Sequence, residues 1–393
     1  MRVAPGRVTA LVGESGSGKS ALGRAIMGIE SDYARISGKA VFNDPQGNGP
    51  VDLLSLPRDG HRIRQIRGDR IGMIFQEPMT SFSPLHTIGN QIEEALLLHR
   101  PMSKAEARGL IETMLGRVGF KDPVRAYGLY PFELSGGLRQ RAMLAMALIC
   151  QPALLIADEP TTALDVIVQK QVLDLTLAAC RDLGTALLLI THDLGVVADC
   201  CERVLVMRHG DPVTQGPVDP VLLRPSDPYT RQLLHSLPRR QGVETAPPAP
   251  APSLLSIKDL RVSYPARRRG LFRRPPARPV LHGIDLSLAR GETLALVGES
   301  GSGKTTLGRA LLGLAPVAGG HVTLDGRDIA SLSAPERRAL ARRVQMVFQD
   351  PFSSLDPRWR IARIVGEGLT GVMAAERATR VAAALSDVGL GDG

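Results

Sequence analysis

The nine residues LVGESGSGK stand at 11–19 and again, letter for letter, at 296–304. Each copy follows a short apolar run (VTALV at 8–12, TLALV at 293–297) and precedes a run of helical pattern (ALGRAIMGI at 21–29, TLGRALLGL at 306–314). Strand, glycine turn and helix is the setting in which such a loop binds phosphate. The glycines let the backbone curl until successive N–H groups and a helix N-terminus face one anion. A chain of 393 residues has room for two domains of ordinary size, each with its own core.

Other landmarks recur in the same order. Gly13 and Gly298 lie 285 positions apart, Gln76 of MIFQEP and Gln349 of MVFQDP 273, and Gly119 of RVGFKD and Gly389 of DVGLGD 270, which identifies an internal duplication. Between the halves, PRRQGVETAPPAPAPS at 238–253 is rich in proline and alanine without helical periodicity and reads as an extended linker. The expected domains are therefore 1–237 and 254–393. In the first, ALLIAD at 153–158 and ALLLIT at 186–191 are further apolar strands between helical segments, which predicts an α/β layer with a largely parallel sheet.

Composition narrows the class. No apolar run approaches the roughly 18 residues of a membrane span, and Pro5 and Gly6 break the N-terminal stretch, so no secretion signal is read there. Cys150, Cys180, Cys200 and Cys201 lack C-x-x-C spacing, which favours reduced structural thiols in the cytosol over a metal or redox site. Much of the net charge of +9 is local: RRRGLFRRPPAR at 267–278 carries six arginines. That stretch reads as a solvated loop, or as a contact for an anionic membrane or nucleic acid.

The pattern G-x-x-x-x-G-K-[ST] fits both loops. The first candidate cradle comprises Gly13, Glu14, Ser15, Gly16, Ser17, Gly18, Lys19, Ser20 and Ala21, and the second Gly298, Glu299, Ser300, Gly301, Ser302, Gly303, Lys304, Thr305 and Thr306. Lys19 and Lys304 are expected to reach the terminal phosphates of a nucleotide, with Ser20 and Thr305 as Mg²⁺ ligands. Asp158 and Glu159 end an apolar strand, where the first suits Mg²⁺ and the second suits orienting or deprotonating an attacking water. His192 follows another strand, where an imidazole either contacts the γ-phosphate or, as is commoner for a lone histidine, is structural. Ser135, Gly136 and Gly137 of LSGGLRQR open a helical run, where the serine either binds an anion or caps the helix.

P-loop, glutamine after a strand, LSGG-x-x-QR, apolar-DEP, TTALD and THD occur in that order, and the chain resembles the nucleotide-binding subunits of ABC transporters over nearly its whole length. The resemblance implies two tandem P-loop NTPase domains, each a RecA-like, mostly parallel sheet with an antiparallel β part and a helical subdomain, the second incomplete. It implies that Gln76 and Gln349 sense the γ-phosphate, contact Mg²⁺ and face the membrane partner, that Ser135–Gly137 form a signature loop, that Ala163–Asp165 form a D-loop in which Asp165 contacts the ATP site, and that His192 is a switch histidine. Leu138 departs from the Met or Gln usual there. RPSDPYTRQLLHSLP at 224–238, within a tail at about 217–238, is similar to that of dipeptide, oligopeptide, glutathione and nickel importer ATPases.

That likeness implies an ATP- and Mg²⁺-dependent ATPase on the cytoplasmic face of the cell membrane. Its partners would be two transmembrane permease subunits and, through them, an extracytoplasmic binding protein. The family places each ATP between the P-loop of one module and the signature of another, head to tail. An adenine-stacking aromatic should precede each P-loop; Tyr264 of RVSYP serves the second, and the first has no counterpart in its 12 preceding residues. In the second half, the signature, acidic pair and histidine would fall near 404, 428 and 462, outside these residues. Nucleotide binding without hydrolysis is expected at the second cradle, and neither copy completes the reaction alone. The chain is expected to be part of a product of about 530 to 550 residues, or first halves of two chains pair. The rival readings are a soluble ABC ATPase acting on nucleic acid or ribosomes, and a non-hydrolytic nucleotide-binding scaffold.

Overall fold

The structure is a computed structural model that describes residues 1–45, 47, 49–76, 81–161, 164–236, 253–265, 277–298, 301–348 and 354–391. They fall into two compact units, Met1–Glu244 and Thr245–Gly393. The linker expected at 238–253 lies outside the described residues except for Ser253, which already begins a strand. The Arg-rich stretch lies outside them too, apart from Ala277 and Arg278.

The first unit is organised by β1 (Val8–Val12), whose Ala10, Leu11 and Val12 are fully buried. The unbroken apolar run suits a strand covered on both faces. β1 lies between β6 (Ala186–Thr191) and β7 (Arg203–Arg208), both parallel to it; β5 (Leu154–Asp158) and then β4 (Ile71–Ile74) extend the sheet beyond β6, again in parallel. β8 (Asp211–Pro217) closes the other edge as an antiparallel hairpin with β7. His209 and Gly210 both take positive φ in that turn, as a two-residue hairpin of right-handed twist requires.

One face of the sheet carries α1 (Lys19–Met27), with Leu11, Ile156, Leu188 and Ile190 beneath it. β2 (Val41–Asn43) and β3 (Pro50–Asp52) form a separate antiparallel ribbon, and α2 (His61–Ile66) leads into β4. The other face receives a helical layer: α3 (Ile88–Leu97), α4 (Lys104–Arg117), α5 (Pro123–Tyr127) and α6 (Gly136–Leu148). Ile88, Ile92 and Leu96, four apart, form a buried stripe on α3. Thr87, Ser103, Asp122 and Ser135 each cap the helix that follows by accepting a backbone N–H. α7 (Val166–Leu183) links β5 to β6; α8 (Leu194–Cys200), α9 (Val218–Leu223) and α10 (Pro228–His235) complete the unit around β7 and β8.

In the second unit, β9 (Ser253–Tyr264) pairs antiparallel with β10 (Arg278–Ala289) on one side and β11 (Val317–Leu324) on the other, and β12 (Arg327–Asp328) lies outside β11. Ile257, Leu260, Val262, Leu281 and Val322 pack against Leu307 and Ala310 of α11 (Lys304–Leu311). α12 (Ala334–Arg343), α13 (Ile361–Gly366) and α14 (Ala374–Asp387) follow. The strand predicted at 293–297 is not formed. Leu296 is 45% exposed and Val297 92%, whereas their counterparts Leu11 and Val12 are at 0%; Val347 is at 96% against 1% for its counterpart Ile74. The physical reason lies in the pairing order. β1 is held by β6 and β7 and β4 by β5, and no counterpart of those three strands is formed among the described residues of the second unit. The antiparallel part of this unit forms from its own residues; the parallel part has no partner among the described ones.

Candidate active site

Because β1, β4, β5 and β6 run in parallel, their carboxyl ends share one edge of the sheet, where open α/β folds bind ligands. β1 delivers the glycine loop, β4 is followed at two residues by Gln76, β5 ends on Asp158 with Glu159 next, and β6 ends on Thr191 with His192 next.

The loop is shaped by close approach. Gly13 takes φ 155°, and a Cβ there would run into the Met207 carbonyl oxygen of β7, so no larger residue fits. Gly16 and Gly18 take φ 80° and 91°, the left-handed region that favours glycine. Their counterparts Gly301 and Gly303 take 84° and 100°, the same backbone conformation at these two positions. Lys19, buried at the start of α1, donates to the carbonyls of Gly13 and Glu14, both at 2.8 Å. Burial lowers its pKa, and the charges of Glu159 and Asp158 oppose that shift.

Ser20 Oγ donates to Asp158 Oδ1 at 2.9 Å, which joins the first turn of α1 to the end of β5. Burial raises the Asp158 pKa; the Ser20 hydrogen bond lowers it, and the Glu159 charge adds to the rise. Gln76 Nε2 donates to Glu159 Oε2 at 3.2 Å, and His192 Nδ1 stands 3.3 Å from Glu159 Oε1. Gln76, Glu159 and His192 are thus joined through one carboxylate. Glu159 has a left-handed backbone, φ 45°, uncommon outside glycine and frequent at functional sites, and its N–H donates to the Ile190 carbonyl at 2.9 Å.

Ser135 caps α6, its Oγ accepting from Leu138 N at 3.4 Å, with Gly136 and Gly137 in the first turn. A Cβ on Gly137 would come within 2.5 Å of Val168 Cγ1, so the Val168 side chain of α7 packs directly on the backbone of α6 there. Asp165 caps α7 by accepting from Val168 N at 3.0 Å; Ala163 lies outside the described residues. These groups belong to the helical layer on the face opposite α1. In the second unit, Lys304 donates to the Gly298 carbonyl at 2.7 Å, mirroring Lys19. Among the described residues no carboxylate meets Thr305 as Asp158 meets Ser20. Tyr264 pairs with Arg278 at the end of the strand pair whose Val280 and Leu281 abut Gly303, so it shares the second cradle's end of β9. Glu299, Ser300 and Gln349 lie outside the described residues.

Two groups escaped the sequence reading. Gln140, buried in α6, donates to the Pro160 carbonyl, tying α6 to the residue after Glu159. Tyr229 of the DPYT tail reaches the P-loop, where its hydroxyl accepts from Glu14 N at 3.3 Å. Both stand inside quoted motifs, but their partners are 20 and 215 residues away, which no local pattern reveals.

The profile of the ABC transporter family matches residues 1–162 and 281–393. The chain belongs to the ABC transporter family. It is an ABC-type, nucleotide-binding ATPase chain, and its hallmark is the glycine loop that opens a helix in each unit. Similar proteins include the "Peptidoglycan transport ATP-binding protein YejF" of Agrobacterium fabrum, 46% identical over 98% of this chain and 70% of that protein. Another is the "Uncharacterized ABC transporter ATP-binding protein YejF" of Escherichia coli K12, 42% identical over 99% of this chain and 73% of that one. The "Glutathione import ATP-binding protein GsiA" of Salmonella paratyphi A is 42% identical over 94% of this chain and 63% of its own length. This ABC chain therefore spans roughly two thirds of its relatives.

Proposed function

We propose that this ABC ATPase energises the import of peptides, peptidoglycan fragments, glutathione or a related small solute across the cytoplasmic membrane. Two permease subunits and an extracytoplasmic binding protein are its partners, and its place is the inner face of that membrane. No helix among the described residues is long and apolar enough to cross a membrane. The observation that carries the reading is the convergence of Lys19, Ser20, Asp158, Gln76, Glu159 and His192 at one sheet edge, and the names of the relatives and the DPYTRQLLHSLP tail support import.

In this reading residues 1–237 and 254–393 are the two cassettes, and ATP lies with its phosphates over residues 13–21. Lys19, with three N–H donors, keeps its hold on the Gly13 carbonyl and turns a donor to the phosphate oxygens. The hydroxyl of Ser20, the carboxylate of Asp158 and the amide of Gln76 are hard oxygen donors that fit Mg²⁺, an ion commonly held by one or two carboxylates and the substrate's own phosphates. Mg²⁺ supplies charge neutralisation at the phosphates. Glu159 accepts the proton of the attacking water, Gln76 holds that carboxylate in place, and His192 beside it faces the γ-phosphate. The second cradle binds nucleotide through Lys304, with Tyr264 against adenine and Thr305 and Gln349 toward Mg²⁺. It lacks a base of its own among the described residues, and Ser135–Gly137 and Asp165 are the first cassette's signature-loop and D-loop residues.

Glu159→Gln keeps the shape and removes the base. ATP binding should persist while hydrolysis falls by about 10² or more, and cells carrying only this variant should lose uptake of the cargo. Turnover within twofold of wild type would refute the assignment of Glu159. Undiminished uptake of small peptides, muropeptides and glutathione in cells lacking the protein would refute the import reading.

A further inference from the structure

We propose that Tyr229 is a positioning residue for the first phosphate cradle: its hydroxyl clamps the Gly13–Glu14 peptide from outside and so fixes the carbonyl that anchors Lys19. The two contacts belong to one peptide unit. Glu14 N–H donates outward to Tyr229 Oη at 3.3 Å, and the Gly13 carbonyl of the same unit accepts from Lys19 Nζ at 2.8 Å. In a planar trans peptide the N–H and C=O point opposite ways, so a bond at each end fixes its orientation. Were the peptide to flip, the Gly13 oxygen would leave the lysine and the Glu14 N–H would leave its acceptor.

The clamp is itself firmly held. Tyr229 is buried beside Ala10, Val12, Val204 and Val206, and the Arg208 guanidinium lies 4.7 Å from its ring centroid. Asp227 caps the tail helix α10, its Oδ1 accepting from Thr230 N at 2.9 Å and from Thr230 Oγ1 at 3.3 Å. From the neighbouring hairpin, Gly210 N–H donates to the Ser17 carbonyl at 3.2 Å and the Met207 carbonyl lies under Gly13. The tail and the β7–β8 turn therefore hold the loop in shape on the side away from the phosphates, and the tail's aromatic residue acquires a role in nucleotide binding. A cradle preorganised in this way spends less of its binding free energy on ordering the loop.

The inference rests on the first cradle binding nucleotide, so the experiment separates the two. In the full chain carrying Lys304→Ala, which silences the second cradle, binding of a fluorescent ADP analogue with Mg²⁺ is titrated; its loss on adding Lys19→Ala establishes that the first cradle is being read. In that background Tyr229→Phe, which keeps the ring and its packing, should raise Kd about five- to tenfold. The Glu14 amide should lose about tenfold of its hydrogen-exchange protection. Thr230→Val, a buried change one residue away that removes the hydroxyl bond to Asp227 but keeps the backbone cap and the Tyr229 hydroxyl, should lower Tm without changing Kd. A Kd for Tyr229→Phe within twofold of its parent, or an equal weakening by Thr230→Val, would overturn the proposal, because the tail would then act only through general stability.

Discussion

At the residue scale, Asp158 shows how function is set against stability. A carboxylate at the buried end of β5 suits a hard cation, but without one burial raises its pKa above the ordinary carboxyl value. Below that ordinary value the carboxyl is protonated folded or unfolded and costs nothing. Above it the unfolded chain ionises freely while the buried group resists, so the cost builds as pH rises from the ordinary value to the raised one. Asp158→Asn, which can still accept from Ser20, should therefore raise the Tm of the nucleotide-free protein at pH 7 by about 2–4 °C, the shift expected for about 1 kcal/mol. The gain should shrink as pH falls toward 4, and added Mg²⁺ with ATP should stabilise the variant less than the wild type. Thermal melts across pH check all three. Lys19 behaves in the mirrored sense: burial lowers its pKa, so its cost is full below the lowered value and is relieved as pH rises from there to the usual lysine range.

At the scale of elements, α6 joins Ser135 to the sheet edge that carries Glu159. Its N-terminus is capped by Ser135, its first turn touches Val168 of α7 through Gly137, and its Gln140 reaches the Pro160 carbonyl beyond Glu159. Gln140→Leu would leave that buried carbonyl without its side-chain partner, at a cost of about 1–3 kcal/mol. The backbone around Glu159, already in a left-handed conformation, would lose a restraint. We expect a lower Tm and a fall in kcat for ATP with nucleotide affinity nearly unchanged, since Lys19 and the loop lie on the other face of the sheet's edge from α6. Calorimetry and steady-state kinetics distinguish this from a loss of binding.

At the scale of the whole molecule, the same nine residues have two fates. In the first unit LVGESGSGK leaves a strand paired on both sides; in the second its entry run pairs with nothing among the described residues and exposes Leu296 and Val297. Backbone amides without a partner exchange freely with solvent, whereas those of a central strand exchange only on global opening. Amides of 293–297 should thus exchange at least about a hundredfold faster than those of 8–12. Equal protection in the isolated chain would mean that another strand covers the second run.

The sequence alone determined the chemistry and most of the fold of the first unit. Phosphate loops, an acid pair after an apolar strand and a histidine after another are local signals, because the spacing of glycines and the ends of apolar runs lie within a few neighbouring residues. The two loop conformations follow from those same glycines, whichever unit they stand in. What only the tertiary structure decided are relations between distant residues: Gln76 and His192 meeting on Glu159, Gln140 reaching Pro160, and Tyr229 closing on Glu14. It also decided that 293–297 is not a strand. A β-strand satisfies its hydrogen bonds only through neighbours, so the text VTALV or TLALV states a propensity, and the pairing partners, supplied from far along the chain, determine whether it is realised.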